Sequence, residues 1–438
     1  MPTPQAIELM ESEAVEFCRK LIQIDTTNYG GNKGAGEREA ADYVASLLEE
    51  VGLETKIYES APGRANVVTR LAGSDSTLSA LVVHGHLDVV PAIAEEWSVD
   101  PFGAEIIDGM IWGRGAVDMK NMDAMIIAAV RHLRRENIVP PRDLIIAFFA
   151  DEEAGGEYGA GWMVEHHPEL FAGAGEAISE VGGFSVDING RRAYMLQTAE
   201  KGIAWMKLTA DAVAGHGSQI SPENAVTRLA AAVARIGEHE WPLSYTKTTR
   251  SLMEEMAELM GMEFDEENPQ PILDAMGTVS RFVGATLQNT SNPTALQAGY
   301  KHNVIPAQAE ALIDCRTLPE EHEQAIAKIR ELAGEHVELS MVHEQQSLEA
   351  PFSGSLVDQM VDSLVHEDPE ALVLPYMLSG GTDNKWLATL GITGYGFAPL
   401  QLPAELDFTG MFHGVDERVP VDSIKFGVRV LENLLRNY

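Results

Sequence analysis

Several acidic and histidine side chains in this sequence are of the types that bind metal ions and transfer protons. They follow short apolar runs of the kind that forms buried parallel strands. These side chains fall into three groups, which are His86 with Asp88, the triplet Asp151-Glu152-Glu153, and Glu180. Because open α/β sheets bind ligands at the carboxyl ends of their strands, we expect these groups to meet at one edge of a sheet. A metal site could be built there from residues far apart in the sequence.

The first group is a His-x-Asp pair at the end of the apolar run 81–83. Residues two apart on a strand point to the same face, so His86 could bind a metal while Asp88 supports it. This spacing is common, and the pair alone does not establish a site. His84 lies on the same alternation, and a histidine packed within the strand is the favoured interpretation for it.

The acidic triplet 151–153 follows the apolar run 144–149 and precedes two glycines. Adjacent carboxylates at a buried strand end repel one another, and a divalent cation is the simplest compensation. Neighbouring residues point in different directions, so one glutamate could bind a metal while the other remains free as a base. A solvated acidic turn is the alternative.

Two further candidates lie outside these runs. Asp118 is in a glycine-bearing loop, 112–121, just before a predicted helix. A helix-capping aspartate is an equally good interpretation of it. His413, within the segment 411–420, is an unremarkable lone histidine when taken by itself.

The elements that must position these residues show two patterns. From about residue 11 to 181, helical patterns alternate with apolar runs, which predicts βαβ units and a largely parallel sheet. From about 202 to 344 the order β-α-β-β-α-β predicts a small two-layer α+β domain. After 351 the mixed α/β pattern returns. We therefore expect one catalytic domain, residues 1–198 and 350–438, interrupted by an inserted domain, residues 199–349.

Three local predictions belong to the inserted domain. Ser221, with Pro222 at the first helical position, is expected to cap a helix. The Met- and Glu-rich segment 241–271 is expected to be a helical insertion, and 277–285 a strand.

Composition excludes several classes of protein. The chain has 438 residues, of which 45% are hydrophobic, so a globular protein with well-buried cores is expected. Its net charge of −36 makes nucleic acid and anionic membranes unsuitable partners. No apolar stretch approaches the length of a membrane span, and the N-terminus lacks the features of a signal peptide. With only two cysteines, a disulfide framework is excluded, and a cytoplasmic location is expected.

Together, the candidate residues resemble the pattern of one family, the M20 metallopeptidases. Spacings of 30 residues from Asp88 to Asp118, 34 from Asp118 to Glu152 and 27 from Glu153 to Glu180 precede a distant histidine. The resemblance covers nearly the whole chain. It implies a zinc-peptidase-like α/β fold, with a mixed, mostly parallel sheet flanked by helices. It also implies an inserted α+β, ferredoxin-like domain that acts as a lid and dimerisation domain.

The resemblance also implies a role for each candidate. His86 and Glu180 would hold one Zn²⁺, Glu153 and His413 the other, and Asp118 would bridge both. Glu152 would be the general base that takes a proton from the attacking water. Asp88 would support the site, and the bond between Asp118 and Met119 would be cis. The ligand types suit Zn²⁺ and would also accept Co²⁺ or Mn²⁺.

Five positions of the inserted domain and the following loop match family residues that contact substrate. His216 resembles a histidine that reaches the active site of the other subunit in a homodimer and stabilises the oxyanion. Asn303 and Arg316 resemble a pair that grips the substrate's carboxylate. Gly381 and Thr382 lie in a glycine loop that resembles one beside the substrate. A surface-loop histidine at 216 and an ordinary ion pair between Arg316 and Asp314 remain the alternatives.

The function implied is hydrolysis of an amide bond to release an amino acid with a free carboxylate, by a dipeptidase or carboxypeptidase. The alternative is an N-acyl-amino-acid amidohydrolase (aminoacylase), which needs the same metals and base. An acidic residue near the substrate's amine would favour the first, and an apolar pocket would favour the second. A catalytically silent relative that only binds is a third hypothesis, disfavoured because Glu152 and all five ligand positions are present.

Overall fold

The computed structural model of the protein describes residues 3–438, apart from the side chain of Thr278. Two compact units make up the chain. The first consists of the residues up to Thr198 together with Ala350–Pro375 and Thr382–Tyr438. The second consists of Ala199–Glu349 and Tyr376–Gly381. The short segment 376–381 was not part of the inserted domain expected from the sequence.

Twelve α-helices occur among the described residues. They are α1 (Pro4–Gln23), α2 (Arg38–Glu49), α3 (Lys120–Arg135), α4 (Ala160–His166), α5 (Ala225–Gly237), α6 (Lys247–Met260), α7 (Gln270–Ala275), α8 (Ser280–Gly284), α9 (His322–Ala333), α10 (Ser355–Glu367), α11 (Asn384–Ala388) and α12 (Val421–Asn437).

Nineteen strands occur in the same part of the chain. They are β1 (Thr55–Ala61), β2 (Arg64–Leu71), β3 (Ala80–His86), β4 (Glu105–Ile107), β5 (Met110–Trp112), β6 (Leu144–Phe149), β7 (Ala174–Ser179), β8 (Phe184–Ile188), β9 (Arg191–Glu200), β10 (Gly202–Asp211), β11 (Gly215–His216), β12 (Thr290–Ala298), β13 (Val304–Ile305), β14 (Gln308–Thr317), β15 (Glu338–Gln345), β16 (Leu348–Glu349), β17 (Leu372–Leu378), β18 (Thr393–Gly396) and β19 (Arg418–Pro420).

The first unit is built on a mixed sheet in the strand order β1-β2-β6-β3-β7-β18-β9. The central strands β6, β3, β7 and β18 run parallel to one another, and antiparallel pairs lie on either side of them. This confirms the prediction of a mostly parallel α/β sheet.

Helices cover both faces of this sheet. Every residue of β3 and β6 is buried, as expected for strands covered on both sides. The helices α4 and α11 pack on the face that carries Val82 and Ile145. The helix α3 contacts β3 from the opposite face and packs against α1 and α12. The strand ends that carry the candidate residues are therefore fixed by a core on two sides.

The second unit has an antiparallel sheet in the strand order β12-β14-β10-β15. The helices α5 and α9 pack against it around a core that includes Leu208, Leu229 and Ile329. Along the chain, its sheet strands and these two helices follow the predicted order β-α-β-β-α-β, with α6, α7 and α8 placed between α5 and β12.

Two local predictions in this unit are wrong. The segment 277–285 forms a 3₁₀ turn and the helix α8 instead of a strand, because its buried residues Val279 and Val283 are four apart and follow a helical period. The helix α5 is capped by Asn224 and not by Ser221. The Asn224 side chain accepts hydrogen bonds from the N–H groups of residues 226 and 227, at 2.9 and 3.3 Å.

Among residues 3–438, no helix combines the length and the apolar character that a membrane crossing requires.

Candidate metal centre and active site

Three groups of candidate residues lie where three neighbouring parallel strands end. The strand β3 ends at His86, and Glu180 directly follows β7. The strand β6 lies on the other side of β3 and leads into the acidic triplet at Asp151. The carboxyl ends of these strands meet at one edge of the sheet, as the sequence predicted.

One set of possible metal ligands consists of His86, Asp118 and Glu180. The Nε2 atom of His86 lies 3.2 Å from Asp118 Oδ1 and 3.4 Å from Glu180 Oε2. One donor atom from each of the three residues lies within 4.8 Å of the others. All three side chains are largely or wholly buried.

A second set consists of Asp118, Glu153 and His413. The Nε2 atom of His413 lies 3.3 Å from Asp118 Oδ2 and 3.0 Å from Glu153 Oε2. The two oxygens of Asp118 therefore face different histidines. A carboxylate in this position can bridge two cations.

The charges at the site fit bound cations. Burial and the nearby carboxylates raise the pKa of Glu180 to about 7, and burial raises the pKa of Glu153. Crowded acidic groups of this kind are stabilised when a divalent cation lies between them. Two imidazoles and three carboxylates without a thiolate are ligands that Zn²⁺ accepts. The residues present therefore fit a dinuclear centre.

The ring of His86 is oriented by its own strand end. Its Nδ1 atom lies 3.0 Å from the backbone carbonyl oxygen of Asp88 and donates a hydrogen bond to it. That bond leaves the Nε2 lone pair directed at Asp118 and Glu180. This tautomer is the one that a metal-binding histidine requires.

The Asp88 side chain holds the acidic turn in place. Its Oδ1 accepts the Glu152 N–H at 3.0 Å, and its Oδ2 accepts the Glu153 N–H at 3.1 Å. Asn28 donates a further hydrogen bond to Oδ2 at 2.9 Å. Asp88 thus positions the two glutamates through their backbone.

Glu152 lies beside the first set of possible metal ligands and belongs to neither set. Its Oε2 lies 3.9 Å from His86 Nε2, and its side chain is 15% exposed. Burial and the charge of Glu180 raise the pKa of Glu152 well above its usual range. The backbone turns sharply before it, since Asp151 has a φ of +66°.

His84 is not part of the centre. Its buried ring bonds to Asn384 Oδ1 at 2.9 Å, and burial lowers its pKa to about 4. The interpretation as a histidine packed within the strand fits this environment.

Sequence analysis missed the residue that anchors the Asp118 loop. The buried carboxylate of Glu417 accepts hydrogen bonds from Arg114 Nη1 at 2.8 Å and from the N–H groups of Gly115, Val117 and Asp118 at 3.0, 2.6 and 3.1 Å. The only available signal was its place four residues after His413. The bond between Asp118 and Met119 is cis, as the family resemblance implies.

A second missed group lies behind Asp88. Asn28 donates to both Asp88 and Asp151, and its Oδ1 accepts a hydrogen bond from Arg64 at 2.8 Å. Arg64 also pairs with Glu37, and both side chains are almost completely buried. Nothing in the local sequence distinguishes these residues from surface polar groups.

The predicted substrate-binding residues of the second unit lie in different local settings. His216 is exposed, and its Nδ1 lies 2.8 Å from Ser218 Oγ. It is close to Asn303, because the Gly217 N–H donates to the Asn303 carbonyl at 2.9 Å. On β14, the guanidinium of Arg316 makes two hydrogen bonds to Asp314, at 2.7 and 3.1 Å.

The two loop residues were predicted as neighbours of the substrate. Gly381 follows β17. Thr382 is buried, and its hydroxyl accepts the N–H of Asn384 at 3.2 Å. Of the predicted site residues, the structure thus brings together the five possible ligands with Glu152 and Asp88 in one unit, and His216 with Asn303 in the other.

The model of peptidase family M20/M25/M40 matches residues 82–437. The chain belongs to this family. It is 28% identical over 454 residues to the N-fatty-acyl-amino acid synthase/hydrolase PM20D1 of Xenopus tropicalis, covering 98% of this chain and 87% of that one. It is also 28% identical over 437 residues to aminoacylase-1 of Pongo abelii, covering 97% and 95% of the two chains.

Solved structures share the fold. The M20 family metallo-carboxypeptidase Sso-CP2 from Sulfolobus solfataricus superposes with a TM-score of 0.76 at 19% identity, covering 97% of this chain and 98% of that one. Membership of this family of peptidases and amidohydrolases makes the protein a hydrolase. The hypothesis of a catalytically silent relative is left without support.

Proposed function

We propose that the protein is a dinuclear zinc hydrolase that cleaves an amide bond and releases an amino acid with a free carboxylate. The observation that carries this proposal is the placement of Asp118, which faces His86 with one oxygen and His413 with the other, beside Glu152. Two adjacent metal ions and one free carboxylate can together supply an activated water and a general base for hydrolysis of an amide at neutral pH.

The chain's own residues take separate roles. His86, Asp118 and Glu180 would hold one Zn²⁺, while Asp118, Glu153 and His413 would hold the other, with Co²⁺ or Mn²⁺ as possible substitutes. When bound, such ions polarise the scissile carbonyl and lower the pKa of a bound water.

Glu152 is the proposed general base, because its carboxylate lies 3.9 Å from His86 Nε2 and belongs to neither set of possible ligands. It takes a proton from the attacking water and returns it to the leaving nitrogen as the C–N bond breaks. Asp88 fixes Glu152 by accepting its backbone N–H.

Residues outside the metal centre would bind the rest of the substrate. Asn303 and Arg316 would grip the carboxylate, for which Arg316 must exchange the carboxylate of Asp314 for that of the substrate. Gly381 and Thr382 would lie in the loop beside the substrate. His216 would stabilise the oxyanion in the other subunit of a homodimer, which its exposure permits.

N-acyl amino acids are the proposed substrates. The two curated relatives reported above are named for N-acyl-amino-acid chemistry, and both match almost the whole chain. Cleavage of dipeptides or of carboxyl-terminal residues is the second candidate, which the description of the family as a peptidase family favours. Both reactions need the same base and carboxylate clamp.

The test compares Glu152→Gln with the exposed control Glu165→Gln in zinc-loaded protein. Glu152→Gln should keep both metal ions and lose at least about 100-fold in kcat, because only the proton transfer is removed. The control should match the wild type. Turnover is measured on N-acyl amino acids and on dipeptides, and the metal content by mass spectrometry. Full activity of Glu152→Gln would refute the assignment of the base.

The role of His216 needs a separate test. His216→Ala and Glu152→Gln subunits, each inactive alone, are mixed under conditions that allow subunit exchange. If His216 serves the partner's site, the mixed dimer has one intact site and regains part of the activity. Failure to recover activity after demonstrated exchange would contradict action across a dimer.

A further inference from the structure

The helices α6, α7 and α8 form an insertion in the second unit that the proposed mechanism does not use. Residues 238–289, called here the helical insertion, separate α5 from β12. Within it α6 contacts α7 and α7 contacts α8, and Leu252, Ile272 and Val283 are buried. Most connections in compact domains are about 4–6 residues long, so an ordered insertion of this length calls for a role.

The helical insertion is closed on itself and fixed to the second unit. Near its two ends, the Ser244 N–H donates a hydrogen bond to the Leu287 carbonyl at 2.9 Å. The buried side chain of Asn289 accepts the Leu318 N–H at 2.7 Å and donates to Glu321 Oε2 at 2.6 Å. The end of the insertion is therefore held on the connection between β14 and α9.

The segment Tyr376–Gly381, which belongs to the second unit, packs against this end of the insertion. The ring of Phe282 in α8 contacts the buried ring of Tyr376, with centroids 5.6 Å apart. Met377 packs in a small buried cluster with Leu318, the residue whose N–H is held by the insertion. Aromatic pairs of this kind attract one another beyond their buried area, so the contact favours one arrangement of the segment.

Lys201 joins the same segment to the insertion by hydrogen bonds. Its backbone N–H donates to the Leu378 carbonyl at 3.0 Å. Its side chain is fully buried, and the ammonium group donates to the carbonyls of Ala285 and Gln288 at 2.9 and 2.7 Å. A buried ammonium group is stable only with such acceptors, so the backbone of Lys201 is fixed by the end of the insertion.

The anchored residues lead directly into the loop that carries Gly381. Residues 379–381 lie outside the helices and strands. Gly380 and Gly381 have no side chains that could pack, and glycine loses more conformational entropy on ordering than any other residue. A loop of this kind keeps one conformation only where the residues beside it are held. In the second unit those residues are 376–378.

We propose that the helical insertion positions Gly381 for substrate binding, with Phe282 and Lys201 as the positioning residues. The inference rests on the proposed function, in which Gly381 lies in the loop beside the substrate. Neither positioning residue needs to touch the substrate. When the segment 376–378 is loosened, only the molecules with the loop in place bind substrate well, so KM rises. The metal ligands and the general base are other residues, and zinc content and kcat should stay unchanged.

The first experiment compares Phe282→Ala with Phe264→Ala in zinc-loaded protein. Phe264 is the matched control, because it is a half-buried phenylalanine of the same insertion and packs on Tyr245 with centroids 5.4 Å apart. With an amide substrate that the wild type cleaves, Phe282→Ala should raise KM about two- to tenfold, the factor that corresponds to one aromatic pair. Phe264→Ala should keep the wild-type KM, and so should Phe282→Tyr, which retains the ring.

The second experiment measures hydrogen exchange of the amides 376–381 and needs no substrate. Phe282→Ala and Lys201→Met should exchange faster there than the wild type, and Phe264→Ala should not. If Phe282→Ala does not fold, Phe282→Leu takes its place. Unchanged exchange in both variants, or faster exchange with an unchanged KM, would overturn the inference and leave the proposed function intact. A wild type that cleaves neither N-acyl amino acids nor dipeptides would refute the proposed function and the inference with it.

Discussion

Glu417 offers the sharpest test of how the Asp118 loop is held. Its Oε1 accepts two backbone N–H groups, from Val117 and Asp118, and its Oε2 accepts Arg114 and the Gly115 N–H. In Glu417→Gln, one oxygen becomes an NH₂ group that faces two donors. Hydrogen bonds to a charged group contribute about 1.5–3 kcal/mol each, so losing two should lower the free energy of unfolding by about 3–6 kcal/mol. Breaking a buried ion pair on one side gives a similar figure, about 3–5 kcal/mol.

The assay is denaturant unfolding combined with hydrogen exchange of the segment 113–119. Burial raises the pKa of Glu417 to about 7, although Arg114 and the backbone amides oppose this shift. The measurement therefore belongs near pH 8, where this carboxylate is ionised. The amides of Val117 and Asp118 should lose protection in Glu417→Gln.

The neighbouring Asp416 provides the matched control. Its side chain binds Ser98 at the exposed surface, at 2.7 Å, so Asp416→Asn should change the unfolding free energy by no more than about 1 kcal/mol. A loss below about 1 kcal/mol in Glu417→Gln, with unchanged exchange in the segment, would refute the reasoning. It would mean that the loop is held by its packing and not by this carboxylate.

Two further predictions follow from buried charges. Asp88→Asn should weaken zinc binding about 10–100-fold, because the substitution loosens the turn that carries Glu153. Competition with a chelator would measure the zinc affinity, and an unchanged affinity would contradict this role of Asp88. Burial lowers the pKa of Lys201 from 10.5 to about 7, so between these values the unfolded chain binds one more proton than the folded one. Relative to Lys201→Met, the free energy of unfolding of the wild type should therefore rise by up to about 1.4 kcal/mol per pH unit from pH 7 toward pH 10. Denaturant titrations at several pH values test this prediction. If the unfolding free energies of the two proteins changed with pH in parallel, the effect would be excluded.

The parallel strands and the possible ligands were the predictable part of the molecule. The run 144–149 was predicted as a strand and forms β6 with those bounds, because it is uniformly apolar and buried on both faces. The strand-end carboxylates follow from the rule for parallel sheets. Asp118 and His413 could be predicted as ligands only from the spacing of the whole set of candidate residues, since each has an ordinary structural alternative.

The supporting residues could not be predicted in the same way. Glu37, Arg64 and Asn28 are polar residues in unremarkable segments, and only the fold shows that they are buried together behind Asp88. The misplaced strand at 277–285 has a related cause. A short segment with few apolar residues fits both the helical and the strand period, and packing decides between a helix and a strand.

The two anchoring carboxylates, Asp88 and Glu417, share one physical principle. Each is a buried carboxylate that accepts backbone N–H groups of a turn, and each turn carries possible metal ligands. Asp118 lies outside the helices and strands, and Glu153 lies in a single 3₁₀ turn, Glu152–Ala154, so the hydrogen bonds of an α-helix or a sheet do not fix their backbones. A buried acceptor with several donors does so instead, because leaving those donors unpaired would be costly. Asp118 and Glu153, the two carboxylates that face His413, are therefore positioned by acidic side chains that need not bind metal themselves. Those side chains should be as sensitive to substitution as the possible ligands.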